Sequence, residues 1–267
     1  MNYLTFDKLL RAPWSWRQPL TIKPANFSTP ISDLFIWRNS SDWQTSFELI
    51  DISGLFADRA KDLSGAVELI MFDSSGHQLL SKELNILPSF RQTIDLASYL
   101  NGISETVGTF AVFHKQVPLT LSTMGSYLAE RGYVSYRYQK APLRSYVHGN
   151  LDAIARNING QLQMLGCSSF FQREYRLQFV ITPESHYQLC IVNPTSSLQR
   201  CEGRLISING EKLIHLYTFQ LDPGAIHVLD LKGEVTEPGR MVIESHMVMA
   251  RPLVFRIQNI KMDVFHG

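Results

Sequence analysis

Two stretches of this 267-residue chain run parallel to one another, and that correspondence restricts its possible folds more than any other feature. Val67 to Leu96 reads VELIMFDSSGHQLLSKELNILPSFRQTIDL, and Gly203 to Leu231 reads GRLISINGEKLIHLYTFQLDPGAIHVLDL. Each opens with an apolar strand and a polar turn, Asp73-Ser74-Ser75-Gly76 or Asn209-Gly210. A second strand then runs into a proline, Pro88 or Pro223, and an aspartate between two apolar residues follows, Asp95 or Asp230. Upstream, Leu34 to Asn39 parallels Leu189 to Asn193. Downstream, Gly108 to Phe113 parallels Gly239 to Glu244, and Pro118 and Pro252 close the two segments.

The pattern is that of an antiparallel meander. Asn-Gly suits a two-residue hairpin because both turn positions tolerate positive φ. Lys212 to Gln220 partly alternates, as a strand with one wet face does. Glycine and proline recur at short intervals, which disfavours βαβ units. Such sheets bury one face against a partner sheet. The expected fold is therefore mainly β, with two related antiparallel β-sandwich units, Ig-like or jelly-roll-like, arising by internal duplication as a tandem repeat. They cover 1–118 and 175–267, with a connector at 119–174. Asp95 and Asp230 read as turn caps or outward-facing strand residues rather than catalytic acids. The first unit carries an insertion around Ile52 to Arg59 that could shape a groove.

Composition closes off several classes. Hydrophobic residues make up 45% and charged residues 18%, enough to bury a core and too apolar for extensive disorder. The 25 basic and 24 acidic residues leave a net charge of +1, without the basic excess of a nucleic-acid binder. The start, Met1 to Lys8, lacks a basic and then apolar signal pattern, and no apolar run reaches membrane-spanning length. A soluble, cytoplasmic chain is expected, with no membrane and no nucleic-acid partner. Cys167, Cys190 and Cys201 make no disulfide framework; Cys190 and Cys201 read as buried thiols before a hairpin bridge.

The connector has no counterpart elsewhere in the chain. Arg131 to Asn150 gathers four tyrosines, three arginines, a lysine and a histidine. Leu151, Ile154, Ala155 and Ile158 follow at helical spacing, with Asn150 as N-cap, so a short helix is expected there. Tyrosine faces stack on sugars, and guanidinium groups hold carboxylate or phosphate by paired hydrogen bonds. The candidate ligand site is Arg131, Tyr133, Tyr136, Arg137, Tyr138, Arg144, Tyr146, His148 and Asn150. A purely structural alternative is an edge strand, with Tyr133, Ser135, Arg137 and Gln139 on one side and Val134, Tyr136 and Tyr138 on the other.

Sharper chemistries find little support. The eight histidines are scattered, with no HxH, HExxH or CxxC spacing, so no metal is assigned; Glu244 and His246 share a strand face without a third ligand. No G-x-S-x-G elbow or phosphate-cradling glycine loop occurs, and no cofactor or catalytic residue is assigned. Cys167 with His148 would make a nucleophilic pair, and Asp152 or Glu130 could take part in a two-acid glycosidase cleft, only if the fold brought the groups together. Trp14, Trp16, Trp37 and Trp43 all lie in the first 43 residues and read as core before sugar platform. Three functions remain open. The first is a non-catalytic binding protein for a carbohydrate or other small polar ligand. The others are a structural or assembly protein, for instance a homo-oligomer, and a saccharide-acting hydrolase or lyase.

Overall fold

The computed structural model describes residues 30–50, 65–86, 91–115, 129–130, 132–139, 141–149, 153–156, 159–210, 212–248, 251–259 and 261–267. The insertion at 52–59, Trp14, Trp16, Pro88 and Pro118 lie outside them. The first strands are β1 (Ile31–Asp33), β2 (Phe35–Arg38), β3 (Trp43–Leu49), β4 (Gly65–Phe72), β5 (Gln78–Ile86), β6 (Gln92–Asp95) and β7 (Val107–His114). The middle of the chain gives β8 (Ala129–Glu130), β9 (Tyr133–Tyr138), β10 (Ser145–His148), β11 (Ala153–Arg156) and β12 (Leu162–Met164). Then come β13 (Ser168–Arg176), β14 (His186–Val192), β15 (Gln199–Ser207), β16 (Leu213–Leu221), β17 (Ile226–Asp230), β18 (Gly239–Met247), β19 (Leu253–Gln258) and β20 (Lys261–His266).

These strands make five four-stranded sheets, ordered β12-β11-β1-β8, β2-β7-β4-β5, β10-β9-β3-β6, β13-β18-β15-β16 and β17-β14-β19-β20. The pairings are antiparallel except β1 with β8. No sheet is built from four consecutive strands. Among the described residues the only helical element is a single 3₁₀ turn, Leu96–Tyr99, capped by the Asp95 carboxylate.

This five-bladed, propeller-like set of small sheets corrects the expected tandem repeat of two sandwich units with a helix-bearing connector. The two halves share a strand order, β7-β4-β5 beside β18-β15-β16 and β10-β9-β3-β6 beside β20-β19-β14-β17, but this order sets β14 against β3 and not against β2, so the expected match of Leu34–Asn39 with Leu189–Asn193 fails. It does not produce two self-contained units, because burial crosses between the halves. The largest buried cluster joins Trp37, Phe47 and Phe110 to Cys190, Val192, Phe255 and Ile257. The connector is drawn into sheets with early strands: β9 pairs with β3, and β11 with β1.

The expected helix after Asn150 is likewise a strand where it is described. Ala153, Ile154 and Ala155 are all buried, with β11 held between β1 and β12. A short apolar run covered on both sides satisfies helical spacing and strand packing alike, and here the neighbouring strands supply its hydrogen bonds.

Turns also lock the halves together. Gly76 sits at φ +85°, and a Cβ there would lie 2.5 Å from the Pro223 carbonyl oxygen. The Ile226 N–H donates to the Ser74 carbonyl at 2.9 Å, and Thr109 Oγ1 to the Gly224 carbonyl at 3.3 Å. The β4–β5 turn therefore packs directly on the β16–β17 turn. Trp37 is fully buried and its indole N–H is shared by the Phe72 and Thr109 carbonyls, at 3.0 and 3.1 Å. Trp43 is buried too, so both described tryptophans are core residues. No helix among the described residues is long and apolar enough to cross a membrane.

Candidate functional site

The Tyr/Arg segment forms β9 and β10 at one end of the sheet β10-β9-β3-β6. Register places Tyr146 beside Ser135, and Ser135 beside Ser46. His148 lies beside Tyr133, Tyr133 beside Glu48, and Glu48 beside Thr93. Since successive side chains alternate across a strand, these rows share one face of the sheet. Arg137 extends the same face, opposite Gln44.

Of the expected site residues, the structure gathers Tyr133, Arg137, Tyr146 and His148 on this face, with Arg144 reaching it from the β9–β10 turn. Arg144 Nη1 donates to Ser135 Oγ at 3.4 Å, and Arg137 Nη2 donates to Gln44 Oε1. Tyr133 and Tyr146 are about half exposed, at 51% and 49%. The Tyr133 ring meets the His148 ring edge-on at 6.4 Å, and His148 also approaches the His266 ring at 4.6 Å.

Tyr136 and Tyr138 point the other way. Tyr136 is fully buried, its hydroxyl donating to the Ile36 carbonyl at 2.7 Å and its ring set edge-on to Phe255 at 4.9 Å. Burial pushes its hydroxyl far above the ordinary tyrosine range. Tyr138 packs on Trp43 at 4.9 Å. Neither belongs to the exposed face. Arg131 and Asn150 lie outside the described residues.

Sequence reasoning missed the face's other half, on β3 and β6. Glu48 is buried and accepts from Arg91 Nε and Thr93 Oγ1, both at 2.9 Å. The hydrogen bond and charge of Glu48 raise the Arg91 guanidinium above its ordinary value. Ser46 and Ser135 are buried and make a small-residue floor between these groups. The signal was present in Trp43 to Leu49, where Gln44, Ser46 and Glu48 alternate with Trp43, Thr45, Phe47 and Leu49. Thr45 breaks the polar/apolar pattern because its hydroxyl is committed to the Arg38 backbone.

Other candidate chemistries resolve into structure. Glu130 is buried against His114, Oε2 to Nε2 at 2.7 Å, while Oε1 accepts from the Gly132 N–H at 2.7 Å. Asp152, the other acid considered, lies outside the described residues. Asp230 accepts from the Lys232 N–H at 3.0 Å, as a turn cap, and also contacts His186 at 2.6 Å. Glu244 is engaged by Gln172 and Arg204, and His246 Nδ1 meets the Ser169 carbonyl at 3.1 Å. Among the described residues, no three His, Cys, Asp or Glu side chains converge as metal ligands. Cys190 and Cys201 are buried thiols on different sheets and form no hairpin bridge.

Beneath β9 lies a cavity of about 20 Å³ lined by Leu34, Phe35, Tyr136, Cys190 and Leu253, with room for nothing larger than a water-sized group. On the sheet β13-β18-β15-β16, Gln172, Arg200, Glu202, Thr218, Phe219 and Gln220 line an open depression of about 360 Å³.

No family model matches the chain. No curated protein matches it either. Among solved structures it is similar to a beta-glucuronidase from glycoside hydrolase family 2, at 8% identity and a TM-score of 0.15, over 88% of this chain and 23% of that one. It is also similar to a glycosyl hydrolase family 2 member from Bacteroides cellulosilyticus DSM 14838, at 9% identity and a TM-score of 0.11, over 84% and 28%. The chain thus spans about a quarter of the length of these proteins.

Proposed function

We propose that this chain is a binding protein for a carbohydrate or other polar ligand, received on the outward face of the sheet β10-β9-β3-β6. The observation that carries the reading is the pair of half-exposed rings, Tyr133 and Tyr146, beside the buried Ser46–Ser135 floor. Tyrosine presents an apolar ring face and a polar tip, which suits a pyranose with its apolar C–H face and hydroxyl edge. Arg137 and Arg144, tethered to neutral acceptors, add fixed donors to the same face. Glu48 is already engaged by Arg91 and Thr93, which favours binding over acid–base chemistry there.

A glycan array followed by calorimetry on the hits tests this, with Tyr133→Ala and Tyr146→Ala as variants. Each replacement is expected to weaken binding about tenfold, as losing one stacking side chain does. Hits whose affinity survives both replacements would place the ligand elsewhere.

A second reading, assembly through protein contacts, is favoured by Phe170 and Phe171 on β13. They are 83% and 55% exposed, and they sit at a register irregularity of an edge strand. Sedimentation of the wild type and of Phe170→Ser separates it from the first: a concentration-dependent oligomer lost in the variant supports assembly.

A further inference from the structure

We infer that the polar face of β10-β9-β3-β6 selects saccharides bearing a carboxylate, held between Arg137 and Arg144; this rests on the binding reading above. The chain uses its arginines in more than one way. Arg91, Arg156, Arg176, Arg204 and Arg256 each pair with a carboxylate. Among the described residues Arg137 and Arg144 do not: their hydrogen-bond acceptors are the Gln44 amide oxygen and the Ser135 hydroxyl. A guanidinium bound to a neutral acceptor keeps its full charge available for an anion, which it holds by short, paired hydrogen bonds.

Placement supports a shared ligand. Arg144 reaches Ser135, and Arg137 lies two residues further along β9 on the same side, about 7 Å away along the strand. The two positive groups therefore flank one stretch of the face, next to Tyr146, which is paired with Ser135.

The charge of the whole face decides which anion fits. Arg91, Arg137 and Arg144 oppose Glu48 and Asp95 on this sheet and its margin, leaving one net positive charge. Glu48 consumes Arg91. With that pair neutralised, Arg137 and Arg144 against Asp95 leave a single positive charge, which a monoanionic carboxylate matches and a dianionic phosphate ester would exceed.

The test compares oligogalacturonate and hyaluronan oligosaccharides with their carboxyl-reduced, neutral counterparts, by calorimetry at two salt concentrations. The acidic forms are expected to bind about tenfold more tightly than the reduced ones, with the advantage shrinking at high salt. Arg137→Gln together with Arg144→Gln should erase the difference, leaving both forms at the weaker affinity, with an unchanged melting temperature showing an intact fold. Equal binding of acidic and neutral oligomers overturns the acid preference while leaving the binding reading in place. So does a preference that survives the double variant, or tighter binding of sulfated or phosphorylated oligomers. Failure of all the oligomers to bind, while other glycans bind in a Tyr133- and Tyr146-dependent way, overturns this inference alone; affinities that survive both Tyr133→Ala and Tyr146→Ala remove the binding reading and this inference with it.

Discussion

Arg38 and Gln188 stand 150 positions apart in sequence and join the two halves of the chain through one hydrogen bond, Nη1 to Oε1 at 2.8 Å. The same guanidinium lies 4.3 Å from the centre of the Trp43 ring and 5.6 Å from that of Phe255. Arg38 thus bridges β2, β3, β14 and β19 where the shared core is formed. Arg38→Ala is expected to lower unfolding stability by about 2 kcal/mol, combining a lost hydrogen bond and a cation–π contact. Arg38→Lys should recover little of it, since an ammonium lacks the planar fork. Urea denaturation of both variants checks this, and a full rescue by lysine would contradict it.

The buried pair of His114 and Glu130 fastens the two-residue strand β8 to β7. Removing one member leaves a polar group uncompensated in the interior, so Glu130→Ala should cost about 3 kcal/mol. Replacing both, Glu130→Leu with His114→Leu, should cost less than the single change, because the imidazole is no longer stranded and only the Gly132 N–H loses its acceptor. Thermal unfolding of the single and double variants gives the ordering directly.

Gly76 is irreplaceable for two independent reasons, its positive φ and the backbone of Pro223 in the space a side chain would need. Gly76→Ala should destabilise by about 2 kcal/mol or more, through left-handed strain plus displacement of the facing turn. Gly210 also has positive φ but faces open space, so Gly210→Ala should cost clearly less. Equal losses at the two sites would mean that the two turns do not press on each other.

Thiol reactivity should divide the cysteines. Burial pushes the Cys190 thiol up to about 11 and the Cys201 thiol up to about 12, while Cys167 is partly exposed. Because the thiolate is the reactive form, one equivalent of maleimide is expected to couple at pH 7.5 in the native protein, at Cys167. The other two should couple only in denaturant, and peptide mapping identifies which.

Acid should destabilise the fold through His227 and Asp230. Burial lowers His227, stacked on Phe219 at 4.3 Å, so the folded form resists protonation. Its contribution is complete above the ordinary histidine value of 6.5 and declines as pH falls below it. Burial alone would raise Asp230, but bonds from Gln188, the Lys232 N–H and His186 outweigh it and hold the carboxyl below 3.8. Its contribution is present above that ordinary value and is lost as pH falls through the folded one. In His227→Phe, the loss of stability between pH 7 and 5 should be shallower than in wild type. An unchanged slope in urea titrations would refute the assignment.

Much of the local structure is legible in the residues. The alternation on β9 divides Tyr133 and Arg137 from Tyr136 and Tyr138, as expected of a strand with two unlike faces, although β9 is paired on both sides, by β10 and β3, and is not the edge strand expected. Yet Tyr136, offered as a ligand contact, lies in the core, since alternation separates two faces without saying which one meets solvent. Tyr136→Ala is therefore expected to unfold the protein, by about 3–5 kcal/mol, rather than to report on binding. Nothing between Leu151 and Ile158 distinguishes a helix face from a strand enclosed by two others.

What the sequence alone determined was the mainly β character, the positions of the turns at Asp73–Gly76 and Asn209–Gly210, and the two-faced nature of β9. These are local properties, set by side-chain alternation and turn stereochemistry over a few residues. Tertiary structure alone decided that there are five small sheets rather than two sandwich units. It also brought Gln44, Ser46 and Glu48 beside the Tyr/Arg strand, and merged the core across both halves. Strand pairing joins residues about a hundred positions apart through backbone hydrogen bonds that any side chain permits, so the partners leave almost no mark on the sequence.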